Sequence, residues 1–218
     1  MTEEYRNELF SRISRLNYTN HVYVKKTAQL VIICVFSLLC GYFLHFLSLG
    51  EKENINAILN EHFCNFFEGL GAMDCIRAAV SFALTDLIPI MVIMILGYTM
   101  ISGIGGKIIL CLYSLRLGWC GAFIYDFLIG EPVISGGTGA FVLFTLCKFS
   151  VLTALIFAAL RSEDFSYKFG EIFGKKKHPY TEKQSFEYIK ALTSTAGFTA
   201  LINTIYLIFQ SLSDLSLL

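Results

Sequence analysis

Long runs without formal charge constrain this chain more than any other feature. Residues 27–50, 87–106 and 191–213 contain no Asp, Glu, Lys or Arg. The run 133–160 is interrupted only by Lys148, and 108–129 only by Arg116 and Asp126. A helix needs about 20 apolar residues to cross a hydrocarbon core of roughly 30 Å. The pattern therefore predicts an all-α, polytopic membrane bundle with five spanning helices near 27–49, 78–102, 108–129, 134–160 and 191–213. The second start is open as far back as Asp74, with Arg77 snorkelling outward. A β-barrel is excluded, because its strands are alternating segments of about 10 residues. A cleaved signal peptide is excluded for the first run, which is too long and follows 26 polar or mixed residues.

Composition agrees. Hydrophobic residues make up 55% of the 218, and charged residues 16%, against roughly 25% in soluble domains. Mean hydropathy is +0.62. A soluble fold of this size has too little interior for so much apolar surface, and disorder requires the opposite composition. Seventeen basic residues balance 17 acidic ones, so no global basic field points to nucleic acid. The whole chain, 1–218, reads as a single membrane domain.

Lys and Arg set the expected orientation. The arm 1–26 carries five, the segment 161–190 carries seven, and the short connection near Lys107 carries one. Loop 51–77 holds only Lys52 and Arg77, and the connection at Glu131 holds none. The N-terminus is thus expected inside and the C-terminus outside.

The extramembrane segments have their own patterns. Tyr5, Leu9, Ile13 and Leu16 give the arm an apolar helical stripe, suited to the inner leaflet or to the bundle. Ile55, Leu59, Phe63, Phe66 and Phe67 do the same for the acidic outer loop 51–77. The basic loop 161–190 reads as two short helices, the first capped by Ser162 and ended by Gly174. Thr181-Glu182-Lys183-Gln184 has capping-box spacing before the second. Lys175, Lys176 and Lys177 suit topology determination or anionic lipid. Cys64 and Cys75 lie in the outer loop, where a disulfide is permitted but not dictated. Cys34, Cys40, Cys111, Cys120 and Cys147 fall in spans, as small apolar residues do.

No catalytic or metal signature emerges. The chain lacks HExxH, GxSxG and P-loop patterns, and no Cys/His group has zinc spacing. His45 reads as a satisfied polar contact near the outer end of the first span. Gly136-Gly137-Thr138-Gly139 lacks the Lys-Ser/Thr of a phosphate cradle. No enzyme activity, cofactor or metal is expected.

The candidate functional residues are instead polar or small positions inside the spans. Asp86, Arg116, Asp126 and Lys148 each cost roughly 2.5–3.5 kcal/mol at a helix centre without a partner. At 1.5 Å per residue, Arg116 falls near the midplane and Lys148 in the inner half. Asp86 and Asp126 fall toward the outer end. Interhelical bonding or a polar cavity can accommodate them. Gly97, Gly103, Gly118 and Gly121 allow close helix approach. The connection 101–107 is expected to form a tight hairpin, and Pro89 to kink the second span.

Several of these residues carry a resemblance. The stretch Phe82-Ala83-Leu84-Thr85-Asp86, Ile95-Leu96-Gly97-Tyr98-Thr99 and Arg116-Leu117-Gly118-Trp119-Cys120-Gly121-Ala122-Phe123 resembles the stage II sporulation protein M family. Leu160-Arg161-Ser162-Glu163-Asp164-Phe165 and Cys40-Gly41-Tyr42-Phe43 look similar too, as do the length and span layout. Asp86 stands where the family often has Asn, and Cys147-Lys148-Phe149 where Pro and an amide are frequent. The resemblance implies a non-catalytic scaffold. It would anchor membrane-attached peptidoglycan hydrolases, stage II sporulation proteins D and P, during engulfment in endospore formation. The partners implied are membrane lipids and those hydrolases. The intramembrane charges motivate an alternative, a small transporter or channel or the membrane subunit of an ABC-type exporter.

Overall fold

The structure is a computed structural model that describes residues 3–47, 72–99, 101–130, 137–173 and 182–215. Side-chain surroundings are described for 22–47, 84–99, 101–123, 125, 141–167 and 184–206. The described residues form five α-helices and no strand: α1 (Glu3–Leu47), α2 (Ala72–Leu96), α3 (Ser102–Gly130), α4 (Gly137–Phe173) and α5 (Glu182–Leu215). Two contain segments long and apolar enough to cross a membrane, Val22–Leu47 in α1 and Phe141–Tyr167 in α4. Leu84–Leu96 of α2 is a shorter apolar stretch.

Each helix turns one seam inward at alternating steps of three and four residues, the spacing that keeps one face toward neighbours. In α1 the seam is Leu30, Cys34, Ser37, Gly41 and His45; in α2 it is Asp86, Ile90, Ile93 and Gly97. In α5 it is Tyr188, Leu192, Thr195, Thr199, Asn203 and Tyr206. α4 is central and packs against all four other helices. Its Val151, Leu155 and Ala158 are fully buried, in one apolar cluster with Ile93 of α2 and Leu110 of α3. A second cluster joins Phe123, Phe144, Cys147 and Tyr206.

The pairings fix relative direction. Ser37 meets Cys111 and His45 meets Phe123, so α1 and α3 run parallel. Asp86 meets Lys148 and Ile93 meets Ser162, so α2 and α4 run parallel. Cys147 meets Asn203 and Phe165 meets Tyr188, so α4 and α5 are antiparallel. Successive helices therefore alternate in direction.

Three boundaries differ from the sequence reading. The arm is not separate, because α1 is continuous from Glu3 to Leu47. Residues 161–173 are no loop; α4 runs through them, and Ser162 lies inside the helix rather than capping one. The turn between α2 and α3 includes residues 97–99 and 101, so the glycines Gly103, Gly105 and Gly106 belong to α3. The reason is common to the last two. The apolar run ends before the helix does, and polar side chains beyond it find buried partners. Pro89 lies inside α2. The structure of the outer loop 51–71, Cys64, the Lys175–Lys177 run and the cap residue Thr181 lies outside the described residues, as does the Cys75 side chain. α5 begins at Glu182, directly after Thr181.

A buried polar site linking four helices

Four helices meet on one carboxylate. Asp86 of α2 is 2% exposed and Lys148 of α4 is 6% exposed. Lys148 Nζ donates to Asp86 Oδ2 at 2.6 Å. Asn203 of α5, fully buried, donates through Nδ2 to the same oxygen at 3.0 Å. Tyr113 of α3 donates its hydroxyl to Asp86 Oδ1 at 2.9 Å. Cys147 donates to Asn203 Oδ1 at 3.6 Å, and the Lys148 ammonium lies 5.9 Å from the Phe144 ring centroid. Both carboxylate oxygens thus take donors from the chain itself. The charges cancel locally, as a buried pair requires to be tolerated.

The pair forms at one depth, contrary to the expectation that acids lie outward and bases inward. α2 begins at Ala72 and α4 at Gly137. Asp86 is then about 21 Å from the start of its helix and Lys148 about 16 Å from the start of its own. Since α2 and α4 are parallel, these depths bring the residues level. Distances taken from the edges of the charge-free runs place Asp86 too close to an end, because α2 reaches back to Ala72.

Gly97 and Thr99 belong to a second cluster, at the C-terminal end of α2. Near this helix end, side chains of other helices donate to main-chain carbonyls, among them Ile93 O, which also accepts the Gly97 N–H at 3.1 Å. Ser162 of α4 donates to Ile93 O at 2.9 Å and shares a 2.6 Å hydrogen bond with Ser102. Tyr188 of α5 donates to Met94 O at 3.0 Å. Ser166 donates to Thr99 O, and Thr99 Oγ1 donates to Leu96 O at 2.7 Å. Phe165 stacks on Tyr188 with centroids 4.1 Å apart, and Tyr98 meets both edge-on. A side chain at Gly97 would strike the Tyr188 hydroxyl. Burial pushes the Tyr188 phenol up to about 12. Nearby, Lys26 bridges α1 to Glu163 of α4 at 3.0 Å, and Tyr23 donates to Asp164.

The remaining candidates separate. Gly118 is the point where α3 touches α1: a Cβ there would run into the Leu38 carbonyl, and one at Gly41 into the Leu115 carbonyl. Gly121 has no atom within 4 Å of its Cβ position. It opens with Gly118 and Lys148 onto a groove of about 300 Å³ between α1, α3 and α4. Arg116 is exposed and forms no hydrogen bond or ion pair with Asp86. Asp126 lies on α3, its side chain outside the described residues. Among the described residues, no group of three His, Cys, Asp or Glu is placed to hold a metal ion.

Sequence reasoning missed Tyr113 and Asn203 because it sorted span residues by formal charge, whereas Ser162 and Tyr188 lie just outside the expected spans, where Ser162 reads as a helix cap. Asn203 had a signal, since an amide that continues the four-residue steps of Thr195 and Thr199 marks an inward polar seam. Comparison of the chain with family models, characterised proteins and solved structures yields no match.

Proposed function

We propose that the chain is a five-span integral membrane protein, N-terminus inside and C-terminus outside, working as a non-catalytic scaffold in the bacterial cytoplasmic membrane. One observation carries the membrane reading: large apolar side chains cover the exterior of every helix, while the core holds charged and polar groups beside its apolar clusters. Asp86, Lys148, Asn203, Thr199, Ser114 and Ser162 are buried. All five helices contribute to that apolar exterior, among them Val35 and Phe36, Ile88 and Ile95, Ile104 and Leu112, Val142 and Leu146, Phe198 and Leu201. Water-soluble monomers rarely expose contiguous apolar surface beyond a few hundred Å²; lipid removes that penalty. The strict alternation of helix direction fits an odd number of crossings, which leaves the termini on opposite sides.

The scaffold reading is supported by how the intramembrane charges are used. The donors on Asp86 come from α3, α4 and α5, so the carboxylate ties helices together. A transport pathway draws on the same buried pair, and ion or substrate flux in proteoliposomes abolished by Lys148→Met would favour it. The partner class follows from the resemblance: membrane-attached peptidoglycan hydrolases of the stage II sporulation D and P type. The test is affinity purification of the tagged chain from gently solubilised native membranes, taken during sporulation where the organism sporulates. Recovery of wall hydrolases, with engulfment lost on deletion, is the expected result. Recovery of an ATPase without hydrolases overturns it in favour of transport.

A further inference from the structure

Arg116 is out of place for a membrane bundle. It stands 14 residues after Ser102 and 14 before Gly130, at the middle of α3, about 21 Å from either end. Ile104, Ile108 and Leu112 lead to it at four-residue steps, and these are 67%, 53% and 61% exposed. Arg116 is exposed as they are. Its guanidinium reaches the Cys120 thiol one turn along the same helix, and among the described residues it forms no ion pair. Asp126 is about 15 Å away along α3 and out of reach. From mid-helix the side chain is too short to snorkel to either surface. Charges at such depth face a bundle interior, a cavity or an opposite charge; this one faces outward.

We propose that the Ile104–Ile108–Leu112–Arg116 face of α3 docks a transmembrane helix of a different protein, one carrying an Asp or Glu near its midpoint. Charge complementarity selects the occupant. A second copy related by a twofold axis along the membrane normal would bring like charges to the same depth, which is repulsive. Lipid tails offer no counter-charge, and the headgroups lie too far away. A helix with a mid-depth carboxylate provides a bidentate acceptor for the guanidinium, while Ile104, Ile108 and Leu112 supply apolar packing beside it. The inference rests on the scaffold reading and names the chemistry of its partner.

The test is site-specific photocrosslinking in native membranes. The photoreactive residue is placed at Leu112 on this face and, as a reference, at Leu146 on α4. The expected adduct at Leu112 is a membrane protein whose crosslinked segment is a spanning helix with a central carboxylate. Arg116→Leu lowers that adduct by about tenfold or more while the variant stays monodisperse in mild detergent. Arg116→Asp combined with carboxylate→Arg in the partner restores it. Adducts only to lipid or to a second copy, a partner helix without a carboxylate, or an adduct unchanged by Arg116→Leu each overturn the inference. If a protein partner crosslinks only at Leu146, this inference fails and the scaffold reading stands. If no partner crosslinks at any site and none co-purifies, the scaffold reading fails with it.

Discussion

Lys148 Nζ sits 2.6 Å from Asp86 Oδ2, across 62 residues of sequence, and both side chains are buried. Such a pair is worth little relative to two apolar residues but much relative to half of itself. Removing Lys148 leaves a carboxylate held by Tyr113 and Asn203 alone; removing Asp86 leaves a buried ammonium. We expect Lys148→Met and Asp86→Leu each to destabilise by about 3–5 kcal/mol. The double variant should be less damaged than the sum, by about 2 kcal/mol or more. Unfolding of the detergent-solubilised protein by denaturant measures the cycle, and additive effects would contradict the pairing. Asn203→Leu removes one hydrogen bond to a charged group and should cost about 1.5–3 kcal/mol in the same assay.

The α1–α3 contact separates two glycines that look alike in sequence. Gly118 places α3 backbone against the Leu38 carbonyl, whereas the Cβ position of Gly121 is empty to 4 Å. Gly118→Ala forces two backbones apart and should destabilise by about 1–3 kcal/mol. Gly121→Ala should be neutral or slightly stabilising, because alanine favours the helix by roughly 1 kcal/mol. Gly41→Ala should behave like Gly118→Ala. Thermal melts of the three variants in one detergent make the comparison, and equal losses at Gly118 and Gly121 would refute the close crossing.

Tyr188 links the end of α2 to α5 through its hydrogen bond to Met94 O, and burial holds its phenol protonated up to about 12. The folded value lies above the ordinary 10 for tyrosine. The stabilisation from this group is therefore complete below pH 10 and is lost as pH rises through 12. The difference between wild type and Tyr188→Phe in tyrosinate absorbance should titrate near 12, not near 10. Tyr188→Phe should also lower stability at neutral pH by about 1 kcal/mol. A difference spectrum with its midpoint at 10 would mean that the hydroxyl is not buried.

How far the sequence reaches is clearest at α4. Its apolar run predicts a helix over 134–160, and a helix is there. The helix continues through Phe173, and in its added turns Ser162 and Ser166 donate to Ile93 O and Thr99 O. No local pattern announces that use, and Ser162 reads equally well as a cap. The charged residues within the apolar runs are legible as residues needing partners, yet their pairing is not. It depends on α2 reaching back to Ala72 and on α2 and α4 running parallel. Asn203 and Tyr113 are neutral, so a search by charge passes over them although they complete the site. Arg116 and Lys148 carry the same formal signal in sequence, and only packing shows that one is enclosed and the other exposed.

That exposed apolar surface gives the most direct check on the membrane reading. Leu146 is 62% exposed and Leu201 56% exposed, so both lie on the outer faces of the described helices. A cysteine there would react quickly with a water-soluble maleimide if the bundle stood in water. In lipid it should react at least about tenfold more slowly, because water and the thiolate are both scarce in the hydrocarbon core. Single-cysteine variants in a background with the native cysteines replaced by serine or alanine allow the measurement on intact and permeabilised cells. Leu47→Cys, at the far end of α1 and 81% exposed, should label in intact cells. Lys25→Cys and Lys190→Cys, at the near end of the bundle, should label only after permeabilisation. Leu146→Cys and Leu201→Cys should remain unlabelled in both until detergent is added. Rapid labelling at Leu146 or Leu201 would place those faces in water and remove the basis for five spans. Labelling of Lys25→Cys in intact cells would instead invert the orientation while leaving the spans intact.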